Sequence, residues 1–225
     1  MAVVVVFSAA VGLCVQVLAA PRSVSAFDNA LCVVLDAGHG GIDGGVVGKN
    51  TGVKESDLNL EIVYKLKTSL EDMGFRVELT RKTDAGLYGT TAKGFKKRDM
   101  QRRKEIIAEA DPALVISIHQ NYYPTRSTRG GQVFYSKEQA GSGKLAVGLQ
   151  GELNALYAKE GARARVATSG NFFMLECADC PSVIVECGFL SNAEDERLLS
   201  DETWQKTLAE TLAGGVMSYF SDLSA

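Results

Sequence analysis

The chain contains two histidines, and each closes a short apolar run. Leu31-Cys32-Val33-Val34-Leu35-Asp36-Ala37-Gly38 leads into His39, and Leu114-Val115-Ile116-Ser117-Ile118 leads into His119. Both runs read as buried strands that deliver an imidazole at the C-terminal edge of a sheet, where open α/β folds build their sites. A hydrolytic zinc centre takes three protein ligands and leaves a position for water. The histidines supply two. The best third is Glu55, at the loop-to-helix junction Val53-Lys54-Glu55-Ser56-Asp57. Gly38, Gly40, Gly41, Gly44 and Gly45 let the intervening loop turn tightly and approach an ion closely. Glu186 ends another apolar strand, Ser182-Val183-Ile184-Val185, and brings a carboxylate to the same edge. As a general base it would take a proton from a zinc-activated water and pass it to a leaving amine. Those parts suffice for amide hydrolysis.

Neighbouring residues leave alternatives open. Asp36 either orients His39 as a hydrogen-bond acceptor or caps the turn. Asn121 either positions substrate or satisfies its own loop. Arg103 reads as a structural ion-pair partner. The glycine run is not a dinucleotide fingerprint: Asp43 stands where the third glycine belongs, and no helix opens there.

Around these residues strand and helix signals alternate, which predicts an α/β domain. Strands are expected at Leu31–Asp36, Arg76–Thr80, Leu114–His119, Gly131–Tyr135, Asn171–Leu175 and Val183–Glu186. A helix is expected over Asp57–Met73, where Leu58, Ile62, Leu66 and Leu70 form one stripe, with Ser56 or Asp57 as its cap. Further helices are expected over Lys97–Ala110, Gln139–Lys159 and Asp201–Phe220, the last capped by Asp201. Residues 81–96 form a Gly/Thr/Lys-rich loop long enough to suspect function.

The length of 225 residues and 46% hydrophobic content suit one domain with a full core. A net charge of -3 is too near zero for a nucleic-acid partner. The local cluster Lys93, Lys96, Lys97, Arg98, Arg102, Arg103 and Lys104 is either a solvated face or a patch for an anionic polymer or membrane. Cys177 and Cys180 lack the second pair that a structural zinc site needs; they read as free thiols, with a disulfide as the alternative. Met1 to Ala20 carries no charge and is mostly Val, Ala, Leu and Phe. Residues 1–26 are therefore expected to be a signal peptide, cleaved near Ala26, or a retained membrane anchor. Either would place residues 27–225 outside the cytoplasm, at the cell wall or membrane.

The segments LDAGHGGIDGG, KESDLNL, ISIHQN and VIVECGFLSN, in that order, resemble the zinc-dependent N-acetylmuramoyl-L-alanine amidases of bacterial cell-wall turnover. The resemblance places the metal ligands at His39, Glu55 and His119 and the catalytic glutamate at Glu186. It implies one zinc ion, a single mixed, mostly parallel six-stranded sheet flanked by helices on both faces, and hydrolysis of the amide between N-acetylmuramic acid and L-alanine in peptidoglycan. Ala37 replaces the family's usual proline, and Tyr122 a usual small residue. The bare domain behind a leader, with the loop Thr91–Arg98, looks like the germination-specific branch, which acts on spore-cortex peptidoglycan and prepares muramic-δ-lactam. With no evident wall-binding repeat, an accessory activating protein is a further expected partner.

Overall fold

The computed structural model describes residues 30–224. The expected leader, residues 1–26, lies outside them. Six strands form one sheet in the order β2-β1-β3-β6-β4-β5. They are β1 (Cys32–Ala37), β2 (Arg76–Leu79), β3 (Leu114–Asn121), β4 (Gln132–Tyr135), β5 (Thr168–Ser169) and β6 (Ser182–Phe189). Only the β4–β6 pairing is antiparallel. The central strands are apolar on both faces because helices cover both faces, as parallel sheets require; every residue of β1 is buried.

On one face pack α1 (Glu55–Asp72), α3 (Ser142–Ala158) and α5 (Glu202–Ser221). The Leu58-Ile62-Leu66-Leu70 stripe of α1 is wholly buried there, as its spacing predicts, and so are Leu145, Leu149, Leu153 and Leu156 of α3. Removing a side chain of that size from water contributes about 2 kcal/mol. The other face is covered by α2 (Phe95–Ala110), whose Ile107 meets Val34, Val115 and Ile184. A short helix, α4 (Ala193–Leu199), follows β6. Among the described residues no helix is long and apolar enough to cross a membrane.

Three expectations need correction. Residues Asn171–Leu175 are not a strand: Phe173–Glu176 form a single 3-10 turn. The sixth strand is instead Thr168–Ser169, beside β4. Met174 and Leu175 are buried against the α2 side of the sheet, and a short apolar run does not reveal whether packing or a ladder will hold it. Second, α1 begins two residues early: Lys54 is the N-cap and makes no side-chain cap. Third, α4 has no counterpart in the sequence reading. By contrast Asp201 caps α5 as expected, accepting from Trp204 N at 2.8 Å. Cys177 and Cys180 are free thiols, and burial pushes both up to about 11.

Candidate active site

His119 and Glu186 are register partners on the adjacent parallel strands β3 and β6. Just beyond them the register slips, from His119↔Glu186 to Asn121↔Phe189. Such an extra residue re-aims side chains beside active sites. His39 follows β1, the other neighbour of β3. The Cα of Gly38 lies so close to His119 that a Cβ would overlap the imidazole, so only glycine fits there. The two imidazoles meet edge to face with centroids 5.0 Å apart.

Glu55, the first residue of α1, reaches between them. Its Oε1 lies 2.8 Å from His119 Nδ1 and 3.2 Å from His39 Nε2. Backbone amides hold the carboxylate in place: Gln120 N donates to Oε1 at 3.1 Å and Val46 N to Oε2 at 2.8 Å. Burial raises the cost of its charge, but the hydrogen bonds of His119 and His39 outweigh burial and hold it well below the usual carboxylate range. One nitrogen from each histidine and one glutamate oxygen all lie within 4.8 Å of one another.

The donor set, two imidazoles and a carboxylate, is one that hydrolytic zinc sites use. The surroundings also suit a dication. Glu186 adds a second carboxylate, and its Oε2 is buried without a partner. Burial pushes the Glu186 carboxyl up to about 7, with Glu55 adding to the shift and the two histidines opposing it. Asp43 adds a third, with Oδ2 3.3 Å from His39 Nδ1. These residues open onto a cleft of about 390 Å³ walled by Tyr88, Phe95, Phe172, Phe173 and Met174.

The His39 loop is held from below. His39 sits at φ +61°, a left-handed conformation that costs a side chain about 1–2 kcal/mol. Two buried arginines take up the carbonyls around it. Arg81 donates to Ala37 O at 2.8 Å, Gly38 O at 3.2 Å and Ser56 O at 2.6 Å. Arg103 donates to Ala37 O at 2.8 Å and His39 O at 2.6 Å. Burial and the neighbouring Arg103 lower Arg81 to about 10, which leaves it charged at neutral pH.

Asp36 is the counter-ion of Arg103 and makes no hydrogen bond to His39. Its oxygens accept from Arg103 Nη1 at 2.5 Å, Ser117 Oγ at 2.5 Å and Thr80 Oγ1 at 2.6 Å. Burial opposes its charge, but Arg103 and the two hydroxyls prevail and bring it to about 2. Asn121 turns to its own loop, its Oδ1 accepting from Tyr122 N at 2.8 Å. Arg103 is the ion-pair partner the sequence suggests, bonded to Asp99 as well. Four residues of the basic cluster, Lys96, Arg98, Arg102 and Arg103, have partners within the protein, though only Arg103 is buried. Arg98 donates to the carbonyls of Tyr88, Thr90, Ala92 and Lys93, Arg102 pairs with Glu105 and Glu109, and Lys96 pairs with Asp43. The sequence assigns no site role to Arg81, to Gln120 or to Asn59, whose amide donates to Gly38 O at 3.1 Å and accepts from Gln120 Nε2 at 3.1 Å, and it marks Asp43 only as a break in the glycine run. For Asp43 a signal existed: an acid among glycines, close to a histidine on a tight loop.

At one edge of an α/β sheet, two imidazoles and two carboxylates come together, and three of them form a donor set that could hold a metal ion, an arrangement suited to a hydrolase. The sequence profile of the N-acetylmuramoyl-L-alanine amidases matches residues 33–218, and the chain belongs to that family. It is 31% identical over 193 residues to the germination-specific N-acetylmuramoyl-L-alanine amidase of Bacillus subtilis, covering 84% of this chain and 80% of that one. Among solved structures it resembles the CwlD amidase of Clostridioides difficile in complex with the GerS lipoprotein, at 36% identity and a TM-score of 0.80, covering 85% of this chain and 98% of that one. Another N-acetylmuramoyl-L-alanine amidase, from Clostridium difficile 630, is 29% identical with a TM-score of 0.74, covering 86% of this chain and 98% of that one. The activity is hydrolysis of the amide joining N-acetylmuramic acid to L-alanine.

Proposed function

We propose that His39, Glu55 and His119 bind one zinc ion and that Glu186 is the general base of the amidase reaction. The observation that carries this reading is the convergence of His39 Nε2 and His119 Nδ1 on one Glu55 oxygen, with the unpartnered Oε2 of Glu186 nearby. When bound, the zinc polarises the scissile carbonyl and lowers the pKa of water towards ~7. The protein does the rest. Glu55 and the histidines hold the charge of the ion in a fixed place. Glu186 takes a proton on its free oxygen and returns it to the departing alanine nitrogen. A carboxyl raised by burial is suited to both halves of that exchange. The aromatic wall of the cleft shields the reacting amide from bulk water and gives the sugar an apolar surface.

The substrate is peptidoglycan. The likeness to the Bacillus germination-specific amidase supports spore cortex as its source, with muramic-δ-lactam formation as the outcome; general wall turnover is the second reading, favoured by the likeness to the Bacillus amidase LytC, 30% identical over 190 residues. An amidase that meets such a polymer works outside the cytoplasm, either released or held to the membrane by its N-terminal segment. The complex of the Clostridioides relative with a lipoprotein supports an accessory protein here too.

Glu186→Gln tests the chemistry. Zinc content should stay at one ion per chain, while release of intact stem peptides, read by mass spectrometry, should fall by about 10²–10⁴-fold. A variant with normal turnover would remove Glu186 from the mechanism. The same digestion run on cortex and on vegetative wall separates the two substrate readings.

A further inference from the structure

Asp43, one of the carboxylates that line the cleft, has no part in the proton transfer. We propose that Asp43 is a positioning residue for metal capture, fixing the ring of His39 so that Nε2 faces the ion, and that Lys96 fixes Asp43 in turn. The inference rests on the metal reading above and concerns a residue outside the ligand set.

The geometry is a relay from α2 to the ion site. Asp43 Oδ2 stands 3.3 Å from His39 Nδ1, and Glu55 Oε1 stands 3.2 Å from His39 Nε2 on the other side of the ring. A carboxylate on each nitrogen fixes the ring angle, and with an ion on Nε2 the Asp43 carboxylate would keep the ring proton on Nδ1. The backbone of Asp43 is itself fixed by a tight pair of bonds, Gly40 N to Asp43 O at 2.9 Å and Asp43 N to Gly40 O at 3.2 Å. That turn folds the side chain back over His39. Lys96 Nζ, in the first turn of α2, lies 3.2 Å from the same Oδ2.

The segment before α2 grips the glycine loop as well. Gly41 N donates to Asp84 O at 2.6 Å, and Ile42 N donates to Tyr88 Oη at 2.8 Å. His119 needs no such partner, because its ring already lies against Gly38.

The test uses the full protein with Asp43→Ala, Asp43→Asn and Lys96→Met. Zinc dissociation constants are measured by competition with a chromophoric chelator. The cobalt(II) absorption spectrum reports site geometry, and the metal-free melting temperature reports fold. Asp43→Ala is expected to weaken zinc binding about 10–100-fold and to alter the cobalt spectrum, with metal-free melting unchanged. Asp43→Asn, which keeps an acceptor without the charge, should lose less. Lys96→Met should lose about 2–5-fold, the scale of an exposed ion pair. Parental zinc affinity in Asp43→Ala overturns the inference alone, as does a loss that only follows a lower metal-free melting temperature. A parent protein that binds no zinc overturns the metal reading and this inference with it.

Discussion

The two histidines reach the same point by different means. His119 belongs to β3, between β1 and β6, and the parallel ladders on either side set its place. His39 lies one residue past Gly38 on a loop, at a positive φ, with its carbonyl and those of the two preceding residues bound by buried guanidinium groups. A side chain on a strand inherits its position from backbone pairing. A side chain on a loop needs groups brought from elsewhere: Arg81 from after β2, Arg103 from α2, and Asp36 as the counter-ion of Arg103.

That contrast can be broken most forcefully at Arg103. Arg103→Met strips Asp36 of its counter-ion and frees His39 O. Removing one partner of a buried pair costs about 3–5 kcal/mol, so urea unfolding should show a loss of that order. A loss below about 1 kcal/mol would mean that the loop holds itself.

Acid probes the same network more gently. Asp36 is held at about 2 in the folded protein, against about 3.9 in an unfolded chain. Its contribution is fully present above pH about 4 and is lost as pH falls towards 2. The linkage amounts to about 2–3 kcal/mol. Asp36→Asn should remove that part of the acid dependence, and an unchanged pH profile would show that the carboxylate is not held by its charge.

The smallest effect is the sharpest for the comparison. At position 39 glycine relieves the positive φ, so metal-free His39→Gly should be about 1 kcal/mol more stable than His39→Ala. At position 119 the backbone is extended, so His119→Gly should be less stable than His119→Ala by a similar amount. The same order at both positions would erase the distinction between loop and strand.

The strand-borne half of the site was the legible half. Apolar runs leading into His119 and Glu186 announce both residue and place, because a buried strand carries its first titratable side chain to a known edge, although β3 continues to Asn121 and β6 to Phe189. Glu55 was readable as the best carboxylate after the glycine loop. Its amide partners, Val46 N and Gln120 N, were not, since they depend on how the loop folds back. Arg81 and Asp36 illustrate the same limit: the donors and acceptors that hold the His39 loop come from four separate elements, and no local pattern records such meetings. The 3-10 turn at Phe173–Glu176 was misread because tertiary packing, not periodicity, decides the fate of a short apolar run. The cap of α4 was present all along: Asn192 Oδ1 accepts from Glu194 N at 3.1 Å and Asp195 N at 3.0 Å. A helix that short leaves no stripe to find.

The scaffold of arginines beneath His39 consists only of protein groups. On the proposed zinc reading, the His39 loop is expected to take its shape during folding rather than during metal uptake, unlike small zinc domains that exist only when loaded. Uptake would then resemble a key entering a cut lock, without a folding transition. A chelator should yield an idle enzyme rather than a denatured one, ready to work again when the ion returns.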